Sequence, residues 1–376
     1  MQHAHYAEQI KNTKSIQAAY RVIEAYLAGL NDSHTIFIPP PNGNHVAYGF
    51  RLKMVGDQCF ITDVRPGSDA AQKLHPGDQV LSLDGYTLNR NDLWQLEYYL
   101  YRLPPRLITD FTLGGVNGEE RRESVTAEFQ AGRAFRDLDI EHARFARERL
   151  QQFSRSRSAE AGDVFIWKFP SFNGDEGAIS HMLGQARKHK ALVLDLRGNP
   201  GGFQNTLLFM LGLFFDHDVT LGHEITRKEQ KLLVAKSGGH DAFAGQLIVL
   251  IDSRSSSAAE LFARVVQIER RGTIIGDRSA GSVKAAQLFP LKQGAAFVVR
   301  FGAEITVAEL IMTDGKSVEK LGVTPDFAIL PLAADLADGR DPVLAHAVEM
   351  AGGKLDADAA GKMFPYEWPP INPAKD

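Results

Sequence analysis

"LIVLIDSRSSSAAELFARVV", residues 247–266, runs an apolar segment into a cluster of four serines and then into a stretch of helical periodicity. Leu247 to Ile251 reads as a strand buried on both faces, because it is apolar without alternation. Leu261, Phe262, Val265 and Val266 recur at the three- and four-residue steps of an amphipathic helix. A strand feeding directly into a helix is the repeating unit of an α/β core. Between them, Ser257-Ala258-Ala259-Glu260 has the spacing of a capping box, which is a purely structural reading. The same position also suits chemistry: a hydroxyl at the sheet rim beside a helix N-terminus has free N–H groups and positive dipole next to it. An acyl-transfer nucleophile and its oxyanion hole require those features. On this stretch alone both readings stay open.

Working outward, "DVFIWKF", "ALVLDL" and "GTIIGD" read as further buried strands and "FQNTLLFMLGLFF" as a further helix. A mixed sheet with crossover helices is therefore expected over residues 162–376. Residues 131–161 are highly charged and helix-compatible, and read as a helical connector. Residues 45–130 differ in texture: short alternating runs such as "YGFRLKMV" and "CFITDV" are broken by the turns in "RPGSDA", "HPGDQ" and "LDGY". They predict a small β-rich domain with one helix in "NRNDLWQLEYYLYRL". Residues 1–44 are expected to form an N-terminal helical segment, with a stripe of Ile16, Tyr20, Ile23 and Leu27 inside one helix from Tyr6 to Leu30.

Composition narrows the function. The chain has 376 residues, 44% hydrophobic and 23% charged, enough for two or three soluble domains. A net charge of -4 without basic runs argues against nucleic acid as a partner. Cys59 is the only cysteine, which excludes an intramolecular disulfide and a cysteine-based zinc site. Neither a metal nor a cofactor is called for. No apolar stretch approaches the roughly 20 residues of a membrane span. The start, "MQHAHYAEQIKNTKSIQ", lacks the apolar core of a signal peptide, so no secretory leader is expected and the compartment stays unknown.

Three more stretches carry chemistry-bearing residues. "LDLRGNPGGF" (194–203) ends a strand at Asp195 and Arg197 and turns on Gly198, Gly201 and Gly202. It has neither the lysine-serine ending of a P-loop nor the spacing of a dinucleotide fingerprint. "NDSHT" places Ser33 and His34 just after a helix, and "DGKSVEKLGVTPDF" places Glu319 before a turn. Each alone is ordinary: a glycine turn, a loop histidine, a surface glutamate.

Together, in this order, the four stretches resemble peptidase family S41, the serine peptidases that include the carboxyl-terminal processing (tail-specific) proteases and the tricorn core protease. "LNDSHT", "DLRGNPGG", "SSSAAE" and "EKLGVTPD" match four separate motifs of that family, and "YGFRLKMVGDQCFITDVRPGSDAAQKLHPGDQVLSLDGYTL" looks like a PDZ domain. The resemblance implies a crotonase/ClpP-like α/β peptidase core with an inserted PDZ domain. It implies Ser257 as nucleophile and the backbone N–H of Ala258 with that of Gly201 or Gly202 as oxyanion donors. Tyr48, Gly49, Phe50, Arg51 and Leu52 would form the loop that receives a peptide's terminal carboxylate. Processing members use a serine-lysine dyad, but Ser282 stands at the lysine's position and Lys284 lies two residues on. Tricorn-type members use a histidine, and Ser33, His34 and Glu319 match their set. A histidine titrates near neutrality and needs less help than a lysine, which favours His34 as base over Lys284. The expected activity is peptide-bond hydrolysis through an acyl-enzyme, on proteins or peptides with accessible C-termini. The rival expectations are an inactive S41-like binding protein and an acyl-CoA enzyme, and nothing in the sequence asks for CoA.

Overall fold

The structure is a computed structural model and describes residues 2–40, 45–90, 93–102, 106–115, 118–130, 155–293 and 299–368. Its centre is a six-stranded sheet in the order Arg157–Ala161, Val164–Lys168, Ala191–Asp195, Gln246–Ile251, Thr273–Gly276 and Phe327–Ala328. The first pair is antiparallel and every later pair is parallel. Side chains alternate between the two faces, and helices cover both, so the inner strands Val164–Lys168, Ala191–Asp195 and Gln246–Ile251 are largely apolar. Leu192, Leu194, Leu247, Val249 and Ile251 meet the helices Glu176–Ala186, Gln204–Gly212 and Ala258–Ile268. Ala191, Val193, Ile248 and Leu250 meet Pro342–Met350 and Ala357–Met363.

A second, antiparallel sheet is organised by the long strand Val299–Met312, which pairs with Ile36–Ile38, Val219–Thr226 and Ala285–Gln293. Through Ile36–Ile38 the N-terminal segment is hydrogen-bonded to this second sheet at Gly302 to Glu304. That segment holds two helices, Gln2–Lys11 and Ile16–Ala28, instead of the single one expected. The break falls at Ser15, whose hydroxyl accepts from Ala18 N–H at 3.2 Å and starts a new helix.

The β-rich domain is a sheet of Phe50–Val55, Gln58–Val64, Gln79–Leu83, Ile108–Gly114 and Glu120–Thr126, with Tyr86–Thr87 paired at Gln79–Leu83. Leu93, Leu96 and Leu100 of the helix Leu93–Arg102 close its core over Phe50, Leu52, Ile61 and Phe111. The ribbon His45–Ala47 with Glu128–Gln130 brings the two ends of the domain together. Of the expected connector, 131–154 lie outside the described residues, while Arg157–Ala161 is a strand and not a helix. Its alternating "RSAEA" carries little apolar weight, and it forms because the turn at Gly162 (φ +65°) folds it back onto Val164–Lys168.

The glycine turn after Ala191–Asp195 rests on a buried charge cluster. Arg197 donates to Asp195 Oδ2 at 2.8 Å and to Asp341 Oδ2 at 2.7 Å, and Lys168 Nζ lies 3.1 Å from Asp195 Oδ1. Asp195 is 1% exposed, and although burial opposes its charge, the Arg197 and Lys168 cations hold its carboxyl far below the ordinary range. Asp341 caps the helix Pro342–Met350 at Leu344 N–H, so one guanidinium ties the turn to the far layer. Arg197→Met leaves Asp341 without its counter-charge and the buried Asp195 with Lys168 alone. A loss of about 3–5 kcal/mol is expected, read as a lower midpoint of thermal unfolding. An unchanged midpoint would show that the cluster does not hold the layers together.

Candidate active site

The four serines of the opening stretch divide by what their side chains touch. Ser253 Oγ donates to Met54 O at 2.7 Å, and so belongs to the contact with the β-rich domain. Ser255 is fully buried, donates to Leu196 O at 2.8 Å and accepts from Asp252 N–H at 2.9 Å, which staples the turn to the sheet. Ser256 contributes its N–H to Asn199 O at 3.0 Å. Ser257 is half-buried, and its hydroxyl makes no hydrogen bond to the helix it precedes.

Ser257 sits at φ +54°, ψ -121°, a conformation a side-chain-bearing residue adopts only under constraint. Two acceptors hold it there: Ser282 O receives its N–H at 2.8 Å and Glu260 Oε2 at 3.1 Å. Glu260 is therefore more than a capping residue. Its buried carboxylate also accepts from Ser279 Oγ, from Gly281 N–H at 2.7 Å and from Ser282 N–H at 2.9 Å. Burial pushes its carboxyl up to about 7, and the four donors act against that rise. Sequence spacing flagged Glu260 only as half of a cap, because its other donors lie some twenty residues further along the chain.

The glycine turn lies directly against Ser257. A side chain at Gly201 would place its Cβ 2.6 Å from Ser257 Cβ and 2.9 Å from Ala258 N, and one at Gly202 would sit 2.4 Å from the Phe172 backbone. Only glycine fits either place. The Gly201 N–H is already given to Asn199 Oδ1 at 2.8 Å. The Gly202 and Ala258 N–H groups have no acceptor among the described residues. Ala258 opens its helix, where an unshared N–H is expected.

His34 arrives from the other sheet. Asp32 Oδ1 accepts the His34 backbone N–H at 3.0 Å, forming a tight turn just before Ile36–Ile38. On the ring, Nδ1 lies 3.1 Å from Ser33 Oγ and 3.4 Å from Ser282 Oγ, and the two hydroxyls are 2.9 Å apart. Ser282 thus touches both the histidine and the Ser257 backbone, although no hydrogen bond joins the Ser257 hydroxyl to the ring. Burial holds the His34 ring below its ordinary value, with the nearby charges of Glu319 and Asp32 pulling the other way. Glu319 accepts from Val283 N–H at 2.9 Å.

Lys284 is committed elsewhere. Its Nζ donates to Asp32 Oδ2 at 2.9 Å, and Thr306 Oγ1 donates to Asp32 Oδ1 at 2.8 Å. Burial alone would lower the Lys284 pKa, but the hydrogen bond to Asp32 wins and keeps it above the ordinary value. Burial likewise pushes the Asp32 carboxyl up, and its hydrogen bonds outweigh it, so the group stays ionised at neutral pH. A lysine acting as base needs the opposite shift.

The Tyr48–Leu52 stretch is partly built into the fold. Tyr48 and Phe50 are buried, and Tyr48 donates from its hydroxyl to Leu100 O at 2.8 Å. Phe50–Val55 is an edge strand, and its outward carbonyls are taken: Arg254 Nε donates to Leu52 O at 2.9 Å, beside the Ser253 bond to Met54 O. Lys53 adds an ion pair to Asp252 at 2.7 Å, and Arg90 one to Asp277 at 2.6 Å. Arg51 pairs with Asp63 at 3.1 Å and lies over the Tyr366 ring at 3.8 Å. Among the described residues no group of His, Cys, Asp and Glu is arranged to hold a metal, and no helix is long and apolar enough to cross a membrane.

A Ser257→Gly variant is expected to unfold at a higher midpoint than the native chain. Relieving the positive φ returns about 1–3 kcal/mol, and the added backbone freedom of glycine offsets only about 0.5–1 kcal/mol of it. A lower midpoint would show that the turn is unstrained.

Comparison with known proteins gives two family matches. Residues 163–329 match peptidase family S41, and residues 37–92 match the PDZ domain. The chain is 26% identical over 330 residues to carboxyl-terminal-processing peptidase 3, chloroplastic, of Arabidopsis thaliana, covering 83% of this chain and 60% of that protein. It is 25% identical over 329 residues to the tail-specific protease of Haemophilus influenzae, covering 79% and 43%. The chain thus spans about half the length of the curated relatives it matches. Among solved structures, mature CPAF superimposes with a TM-score of 0.65 at 14% identity, covering 89% of this chain and 88% of that one. The photosystem II D1 C-terminal processing protease gives 0.51 at 18% identity, covering 95% and 92%. These two likenesses speak to the fold, while the sequence matches and the order of the four motifs speak to kinship: residues 163–329 of this chain carry the match to peptidase family S41, and the PDZ match at residues 37–92 lies ahead of them.

Proposed function

We propose that this protein is a serine endopeptidase that works through an acyl-enzyme, with Ser257 as nucleophile and His34 as general base. The observation that carries the reading is the Ser257 turn: a strained serine whose hydroxyl has no partner among the described residues, flanked by two N–H groups that have no acceptor among them. Ser257 Oγ attacks the scissile carbonyl carbon, and its proton passes to His34 Nε2. The Gly202 and Ala258 N–H groups receive the oxyanion, Gly202 being favoured over Gly201 because the Gly201 N–H is already bonded. The C–N bond breaks as His34 returns the proton to the leaving amine. Water then attacks the ester carbonyl carbon and loses a proton to His34, and the C–Oγ bond breaks as His34 passes that proton to Ser257 Oγ, releasing the acid product and the free enzyme. The Ser257–His34 hydrogen bond forms in the substrate complex, where catalytic contacts that are long in the free enzyme tighten.

The charges around the ring support histidine over lysine. Glu319 and Asp32 compensate the imidazolium, and Lys284 serves to neutralise and hold Asp32. The PDZ domain recruits substrates by their C-termini, with a peptide adding to the Phe50–Val55 edge. There it replaces the Arg254 and Ser253 bonds, so recruitment reaches the turn just before Ser257.

A fluorophosphonate probe is expected to label the native chain and fail to label Ser257→Ala; no labelling of the native chain at any pH would favour the binding-protein reading. His34→Ala is expected to lose about 10²–10⁴-fold in kcat/KM, the usual worth of a general base, and Lys284→Ala far less. Full activity in His34→Ala ends the histidine assignment. The acid limb of kcat/KM is expected below pH 6.5, because burial favours the neutral ring. The Glu319 charge raises the ring's pKa, so Glu319→Gln moves that limb to still lower pH. A limb that stays put or rises would remove Glu319 from the imidazolium.

A further inference from the structure

We infer that Ser282 is a positioning residue for the reaction, one residue that bonds on one side to the His34 turn and on the other to the Ser257 backbone; this rests on the assignment of those two as the reacting pair. Its three polar groups all face the site. The carbonyl accepts the Ser257 N–H at 2.8 Å, and the N–H donates to Glu260 Oε2 at 2.9 Å. The hydroxyl donates to Ser33 Oγ at 2.9 Å and lies 3.4 Å from His34 Nδ1. The distance between ring and nucleophile is thereby set within one residue's covalent frame. Where processing members of the family carry a lysine that acts by itself, this chain has a hydroxyl that acts through a histidine.

The hydroxyl also selects a tautomer. A serine hydroxyl has one proton and two lone pairs. The Ser282 proton goes to Ser33 Oγ, so the Ser282 oxygen has only lone pairs to turn toward Nδ1, and the Ser33 oxygen presents a lone pair there when its own proton points away from the ring. The Nδ1–H tautomer satisfies them and leaves the Nε2 lone pair free for the Ser257 proton. When the ring becomes charged, its Nδ1–H bond persists, and the surrounding charges are Glu319, Asp32, Glu304 and Lys284. A lysine in place of Ser282 would put a cation beside that imidazolium.

The test uses the full chain with a fluorophosphonate as probe, and reads the second-order labelling rate of Ser257 together with the ¹⁵N shifts of the His34 ring. Ser282→Ala is expected to lower the labelling rate about 10²-fold, the cost of misplacing a reacting group by an ångström, with the unfolding midpoint nearly unchanged. Its ring spectrum is expected to move from the Nδ1–H tautomer toward a mixture, and Ser282→Thr is expected to restore both. Should Ser282→Ala not fold, Ser282→Cys keeps the shape and weakens the bond, and is expected to show the same two losses. A native labelling rate and native ring shifts in Ser282→Ala, with His34→Ala inactive, would overturn the role of Ser282 alone. Full labelling of His34→Ala would instead overturn the underlying pair, and ring shifts unchanged in Ser282→Ala would overturn the tautomer selection whether or not the chain is active.

Discussion

The site depends on the backbone of one residue being held where it would not rest by itself. Ser257 keeps φ +54° because its N–H is bonded to Ser282 O and Glu260 Oε2, and because the Gly201 turn closes against its Cβ. The strain is offset by a buried carboxylate with four donors, in a region of low effective dielectric where such bonds are stronger than in water. Glu260 collects the serine turn and the 279–282 loop into one unit. His34 is then joined to that unit through Ser282.

Three separate parts of the chain meet there, and each is fixed by a different force. The sheet Val164–Gly276 is held by apolar burial on both faces. The glycine turn is held by the Asp195–Arg197–Asp341 charges, which are nearly out of water. The N-terminal turn is held by the pairing of Ile36–Ile38 with the Val299–Met312 strand, and by the Lys284–Asp32 bond. Lys284 shows how a residue suited to one role by type is given another by its neighbour. An ammonium beside a carboxylate stays charged, and a charged amine is no base.

The PDZ domain meets the core at the same place. Lys53, Leu52 and Met54 of its edge strand engage Asp252, Arg254 and Ser253, which lie in the loop leading to Ser257. Edge strands are liabilities when left open, and here the loop of the core covers this one. On the outer side, Arg51 lies over Tyr366 and Arg65 over Trp368, so the segment after Met363 also bears on the domain. The contacts that would seat a peptide and those that seat the domain thus share one strand.

By itself the sequence determined whatever rests on local pattern. The strand Gln246–Ile251 and the helix Ala258–Ile268 follow from apolar periodicity, and the motif order points to the family. It misled where pattern was weak or ambiguous: the polar strand Arg157–Ala161 read as helix, and the break at Ser15 was overlooked. Which of the four serines give their hydroxyls to the fold could not be read locally, since partners distant in sequence decide it: Met54 for Ser253, Leu196 for Ser255. The same holds for Ser282, which is an ordinary loop serine until Ile36–Ile38 pairs and brings Ser33 and His34 within hydrogen-bond reach. Local sequence sets backbone preference and burial, whereas hydrogen-bond partners and shifted proton affinities depend on which atoms are neighbours in space, and only the tertiary structure decides that.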